Sequence, residues 1–218
     1  MDLATVDHLL TTTRSVRKRL DFSRPVPPDL LQRCIDIALQ APTGSNAQGW
    51  SFVIVTDAAK RKRIADLYRE AFQFYVDNPD FRATYEPDDL RTQQMPRILD
   101  SASYLAEHLH EAPVHVIPCV HGRVEQGGVL AQASVYGSIL PAVWSFMLAA
   151  RARGLGSAWT TLHLIAEKEV ATLLGIPDDV TQTALLPVAY FTGTDFKPAK
   201  RLDTHRVAHW DAWGVHRS

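Results

Sequence analysis

VLAQASVYGSILPAVWSFMLAA, residues 129–150, carries no charged side chain. The stretch is long enough for a helix to cross a bilayer. It also contains Gln132, Ser134, Gly137, Ser138, Pro141 and Ser145, no aromatic belt marks its ends, and no second stretch like it occurs in the chain. We therefore read it as a helix of a soluble domain. A helix that is apolar all round has to be covered on every side, and in a domain this small a second subunit is the expected source of part of that cover. The prediction is a core helix at a subunit interface, with no membrane partner.

Working outward, the chain has 218 residues, 46% hydrophobic and 22% charged, with a formal net charge of −1. These fractions exclude a mainly disordered chain. The length suits one domain, so residues 1–218 are expected to form a single unit. A net charge near zero gives no general attraction to nucleic acid, so any anion binding has to be local. Cys34 and Cys119 are the two cysteines, which leaves no disulfide framework and no CxxC metal site. The N-terminus, MDLATVDHLLTTTRSVRKRL, lacks the basic, apolar, small-residue order of a secretory signal. A reducing cytoplasm is the expected compartment.

Periodicity predicts helices over about 1–13, 28–41, 58–77, 98–110, 126–153 and 166–174. Strands are expected at Trp50–Val55, Val114–Val120 and Thr183–Phe191, the first of them buried on both faces. The segment of about 75–97, polar and interrupted by three prolines from Asn78 onward, reads as a cap or lid. The tail, 194–218, is basic and bears tryptophans. The sum is an α+β fold, with a central sheet surrounded by helices.

Four segments could carry chemistry. Arg14-Ser15-Val16-Arg17 puts a hydroxyl between two guanidiniums, either a solvated basic turn or a compact donor set for a phosphate or polyol. The loop Pro42-Thr43-Gly44-Ser45-Asn46-Ala47-Gln48 offers hydroxyls and amides beside a glycine, a pattern common after helices but also suited to a ring with alternating carbonyls and N–H groups. Gly154-Leu-Gly-Ser-Ala-Trp159-Thr160-Thr161 follows a helix rather than a strand, so it is not a dinucleotide fingerprint. Its glycines read as a helix end, leaving Trp159, Thr160 and Thr161 as a polar–aromatic shelf with free backbone N–H groups. Lys200-Arg201 gains meaning only if folding returns it to Arg14 and Arg17. No histidine or cysteine spacing fits a metal site, and Cys34 and Cys119 fall in apolar settings that suit inert core thiols.

Taken in order, TTTRSVRKR, APTGSNAQGW, the uncharged helix running into ARARGLGSAWTT, and KPAKR resemble the FMN-dependent nitroreductase family over about residues 10–210. The resemblance implies an interlocked α+β homodimer with a central mixed or antiparallel sheet and two FMN sites at the subunit interface. Arg14, Ser15 and Arg17 would hold the FMN phosphate, ribityl chain and pyrimidine edge, and Arg201 with Lys200 would complete the phosphate clamp. Pro42, Thr43, Ser45 and Asn46 would come from the other subunit with Gln48 nearby, and Trp159, Thr160 and Thr161 match the segment that approaches the flavin N5 edge. The sequence reads QGW at 48–50 where many relatives have QPW. The activity implied is oxidoreductase chemistry, in which NADPH or NADH reduces FMN and a small-molecule acceptor such as a nitroaromatic or quinone is then reduced in an alternating, ping-pong cycle. No side chain in these motifs is placed as an acid or base, so no catalytic residue is nominated. The alternatives are a non-catalytic flavin sensor or store, and a dehalogenase or ene-type reductase on the same flavin site.

Overall fold

The computed structural model describes residues 1–81 and 83–217; Arg82, inside the expected cap, and Ser218, at the end of the tail, lie outside the described residues. The elements run α1 (Leu3–Thr12), β1 (Leu20–Asp21), α2 (Pro28–Ala38), β2 (Trp50–Val55), α3 (Ala58–Asp77), α4 (Leu90–His108), β3 (Val114–His121), α5 (Val129–Arg151), β4 (Leu155–Ser157), α6 (Glu167–Leu174), β5 (Val180–Gln182) and β6 (Leu186–Phe191). The sheet has the order β1-β6-β3-β2, with β4 also on β6 and β5 on β3. Every strand pair is antiparallel, with registers such as Val114 opposite Val188 and Phe52 opposite Pro118. The expected α+β architecture is present, and its sheet is antiparallel rather than mixed.

Helices cover both faces of the sheet. On one, Leu31, Cys34 and Ile35 of α2 and Ile139, Val143 and Phe146 of α5 pack on Val114, Val116, Leu186 and Val188. On the other, Ile64, Leu67 and Tyr68 of α3, Leu105 of α4 and Val170 of α6 pack on Ile117, Cys119 and Leu185. Local chemistry sets the helix ends. The Asp57 carboxylate accepts from the Lys60 N–H at 2.8 Å to start α3. Gly175, at φ +70°, closes α6 in the left-handed conformation that a glycine adopts without a Cβ clash.

Three expectations need correction. Helix α4 begins at Leu90, not near residue 98, and runs through Pro96, because Asp89 caps it by accepting from the Arg91 N–H at 2.7 Å. Residues 90–97 of the expected cap are therefore helix. Strand β2 is apolar on both faces, but it lies at the sheet edge and only Val55 is fully buried. Strands β4 and β5 were not expected: each has three residues, and tertiary pairing, not periodicity, makes them. Helix α5 buries one face from Ser138 onward, through Ile139, Ala142, Val143, Phe146 and Met147, but this chain leaves its opposite face and its first turns uncovered. Val129 and Leu130 are each 84% exposed, and Ala133, Gly137, Pro141 and Trp144 continue the same exposed face.

Two histidines lie wholly inside. His115 on β3 meets the Leu109 carbonyl at 2.9 Å through Nε2. His163 sits before α6, and neither of its ring nitrogens has a partner among the described residues. Burial lowers His115 to about 4 and His163 to about 3. Both are neutral in the folded protein, while the unfolded chain takes up their protons below about 6.5. Stability is therefore complete above that pH and falls as pH drops toward the folded values. Urea unfolding should lose about 2 kcal/mol per histidine between pH 7 and pH 5, and His163→Leu should shed its share of that dependence. A pH-independent midpoint across this range would contradict neutral burial.

Candidate functional site

The site begins where α1 stops. The hydroxyls of Thr11, Thr12 and Thr13 each turn back to a carbonyl four residues earlier, all at 2.7 Å. Such bonds compete with continuation of the helix, and Thr13 is already extended. The chain then runs beside β4, where Ser15 forms a parallel bridge with Ser157 and the Val16 N–H donates to the Ser157 carbonyl at 2.8 Å. Gly156 permits the approach: a Cβ there would lie 3.0 Å from Leu20 and 3.2–3.3 Å from Val16. Gly154, at φ +79°, makes the expected turn out of α5, but Gly156 serves packing.

Alternation in this extended segment buries Val16 and turns Ser15 and Arg17 the other way. The Ser15 Oγ accepts from the Trp159 N–H at 3.1 Å, which leaves the Ser15 O–H available to a ligand. Arg17 is half-buried, with Nη1 3.5 Å from the Ser101 Oγ of α4. Burial lowers the Arg17 pKa, and so does burial at Arg14, helped by the repulsion of Arg201 and Arg97. With ordinary values above 12, these guanidiniums stay charged at neutral pH.

The tail reaches this segment through a chain of anchors. Arg19 donates to the Thr192 carbonyl and, at 2.8 Å, to the Asp195 carbonyl. Arg151 and His8 hold the Asp195 carboxylate at 2.6 and 2.9 Å, and the Arg19 guanidinium lies 4.1 Å from the centroid of the Phe196 ring. Arg14 then donates to the Lys197 carbonyl at 3.0 Å, and the Gln94 amide of α4 donates to the Lys200 carbonyl at 3.4 Å. Arg201 arrives in a cavity of about 310 Å³, whose walls include Thr13, Arg14, Ser15, Arg17, Trp144, Met147 and Trp159. A second cavity of about 320 Å³ shares Thr13, Arg14, Trp144 and Arg201 and extends beneath Pro198 and Ala199.

Folding thus brings Arg14, Ser15, Arg17, Trp159 and Arg201 together. Lys200 is held by its carbonyl and its side chain does not line the cavity. Trp144 and Met147, three residues apart on α5, were missed because their spacing matches that of the core residues around them. Tyr68, buried on α3, was missed too; its hydroxyl pairs with the Thr160 Oγ1 at 3.0 Å. The expected shelf of free N–H groups is mostly used. The Trp159 N–H goes to Ser15, the Thr160 N–H donates to the Leu185 carbonyl at 3.2 Å, and the Thr160 carbonyl accepts from Leu185. Thr161 is exposed.

The loop of Pro42, Thr43, Ser45, Asn46 and Gln48 is not in this cavity. It sits on the other half of α5, where the Gly44 N–H donates to the Ser138 Oγ at 3.0 Å. Trp144 and Met147 lie six and nine residues further on, about 9–14 Å at the helical rise of 1.5 Å per residue. Ser45, Asn46 and Gln48 all have φ between +49° and +53°, a conformation that costs side-chain-bearing residues about 1–3 kcal/mol each. Such strain collects at ligand sites, and all three residues are exposed. Both cysteines are buried and uncharged, Cys119 being pushed up to about 12 mainly by burial. Among the described residues, no group of three or more His, Cys, Asp or Glu side chains could hold a metal ion.

A donor set of guanidiniums and a hydroxyl beside two tryptophans fits a phosphate-bearing aromatic cofactor such as FMN. Comparisons with known proteins agree. Rat iodotyrosine deiodinase 1 is 28% identical over 184 residues; the match covers 84% of this chain, but the chain spans only 60% of that protein's length. An NADH dehydrogenase of Thermus thermophilus is 29% identical over 207 residues, covering 90% of this chain and 91% of its own. The solved FMN- and NADPH-dependent nitroreductase NfnB of Sphingopyxis sp. strain HMH shares the fold with a TM-score of 0.70 at 20% identity, over 95% of this chain and 99% of its own. The nitroreductase family model matches residues 10–190. The chain belongs to the nitroreductase family.

Proposed function

We propose that this protein binds FMN in the cavity between Arg14 and Trp159 and acts as an NAD(P)H-dependent oxidoreductase on a small, electron-poor acceptor such as a nitroaromatic or quinone. The observation that carries this reading is the convergence of Arg14, Ser15, Arg17 and Arg201, from the two ends of the chain, on one cavity walled by Trp144 and Trp159. FMN held by these residues would supply the redox chemistry.

The protein's part is position and charge. Arg14 and Arg201 hold the phosphate dianion, with Lys200 adding to the local positive field. The free Ser15 O–H serves the ribityl chain. Arg17 is the cation for the pyrimidine edge, and its half-buried setting strengthens its field there relative to a fully solvated charge. Trp159, its N–H held by Ser15, forms a fixed wall that limits water. No titratable side chain is needed as an acid or base.

A homodimer completes the site in this proposal. The exposed face of α5, from Val129 and Leu130 to Pro141 and Trp144, is an apolar stripe of the kind that subunit contacts cover. A partner's Pro42–Gln48 loop, already held in a left-handed backbone, would supply the amides and hydroxyls that this chain's own loop cannot bring. We place the protein in the cytoplasm, where its two buried thiols stay reduced. Reductive dehalogenation is the second reading, supported by the deiodinase relatives.

Arg201→Ala should weaken FMN binding about tenfold or more, the expected cost of one charged phosphate contact. Arg17→Ala should lower both affinity and turnover. Either variant with full flavin and full activity would remove that residue from the site. Under anaerobic conditions NADPH or NADH should bleach the bound flavin within seconds, and a nitroaromatic should restore its colour. Flavin that stays oxidised with both nucleotides would favour a sensor or store over an enzyme.

A further inference from the structure

The cavity and the face of α4 beside it carry more positive charge than a single flavin phosphate uses. Gln94, Arg97 and Ser101 occupy one face of α4 at helical spacing. Gln94 holds the Lys200 carbonyl at 3.4 Å, and Ser101 lies 3.5 Å from Arg17. Arg97 stands between them, so its side chain projects on the face of α4 turned toward the Arg14–Arg201 pair. Its charge is felt at Arg14, alongside that of Arg201. The neighbouring carboxylates are committed elsewhere, Asp100 to Lys18 at 2.6 Å and Asp89 to Arg91 at 2.8 Å. Among the described residues Arg97 has no acidic partner, and it is exposed.

Three guanidiniums gathered without a carboxylate repel one another until an anion arrives. One phosphate monoester carries about −1.5 to −2 charge at neutral pH, which Arg14 and Arg201 match between them. Arg97 is left over, exposed on α4 and outside the cavity wall. We infer that Arg97 receives a second phosphate, the 2′-phosphate of NADPH, and so makes this protein prefer NADPH to NADH. The two nucleotides differ at that one group, and a planar guanidinium recognises it bidentately. The inference rests on the reading that a nicotinamide nucleotide docks over this cavity.

The test is titration of the flavin-loaded protein with NADP+ and with NAD+, followed calorimetrically. The wild-type protein should bind NADP+ at least about tenfold more tightly than NAD+, a difference of about 1.4 kcal/mol. Arg97→Gln should bring the ratio close to one while leaving flavin content and NAD+ affinity unchanged. Arg97 is exposed and carries no ion pair, so the fold is not at stake. Equal affinities in the wild-type protein, or a ratio that survives Arg97→Gln, would overturn the assignment. Loss of flavin from Arg97→Gln would also overturn it, by placing the guanidinium on the flavin phosphate. The titration reads binding and not turnover. A bound flavin that neither nucleotide reduces would contradict the donor role proposed above, while the NADP+ to NAD+ ratio would still decide the role of Arg97.

Discussion

The pairing of residues 15–17 with β4 and the residues after it is the contact on which the site depends. Two hydrogen bonds fasten it, Val16 N–H to the Ser157 carbonyl and Trp159 N–H to the Ser15 Oγ, both of 3.1 Å or less. It exists because residue 156 lacks a side chain; a Cβ there would press on Val16 and Leu20. With the strand seated, Val16 is buried and Arg14, Ser15 and Arg17 line the cavity. A methyl group at 156 would push the strand outward and carry the cations with it. The chemistry of the cavity is thus set by a steric allowance on a neighbouring strand.

The tail adds a second layer to that arrangement. Arg19 and Arg151 hold Asp195 and Phe196, Arg14 takes the Lys197 carbonyl, and Gln94 takes the Lys200 carbonyl. Each contact is partly solvated and individually small, but in series they deliver Arg201 to Arg14 and Arg17, nearly two hundred residues earlier in the chain. Arg14 has two tasks here, since it anchors the tail through one nitrogen and keeps others free for an anion. Tail position and anion binding are therefore coupled through one guanidinium.

How much of this was legible in the sequence follows from the range of each interaction. Helices α3 and α5 were legible because their patterns persist for five or more turns. The start of α4 was misplaced because Pro96 reads as a break, although the acidic run ending at Asp89 is legible as a helix N-terminus. Strands β4 and β5 have no pattern of their own and appear when β6 and β3 offer them partners. Arg14, Ser15 and Arg17 were legible because charge beside a hydroxyl is conspicuous, whereas Arg201 was legible only through the family resemblance. Trp144, Met147 and Tyr68 were hidden, being residues that a core also uses. The loop at 42–48 was legible as unusual, and its left-handed backbone at Ser45, Asn46 and Gln48 gives that a physical form.

Helix α5 joins these levels. Its second half carries Phe146 and Met147 into the core and the cavity wall, while its first half supports the strained loop and presents an uncovered apolar face. The central claim is that the cation-lined cavity is a site for FMN, selected by its phosphate. The most direct measurement is the visible absorption spectrum of the purified protein, followed by reconstitution of the flavin-free form with FMN and, separately, with riboflavin. The account predicts a yellow protein that FMN restores and riboflavin, lacking the phosphate, does not. A colourless protein that FMN cannot reconstitute, or one that takes both flavins equally, would contradict it.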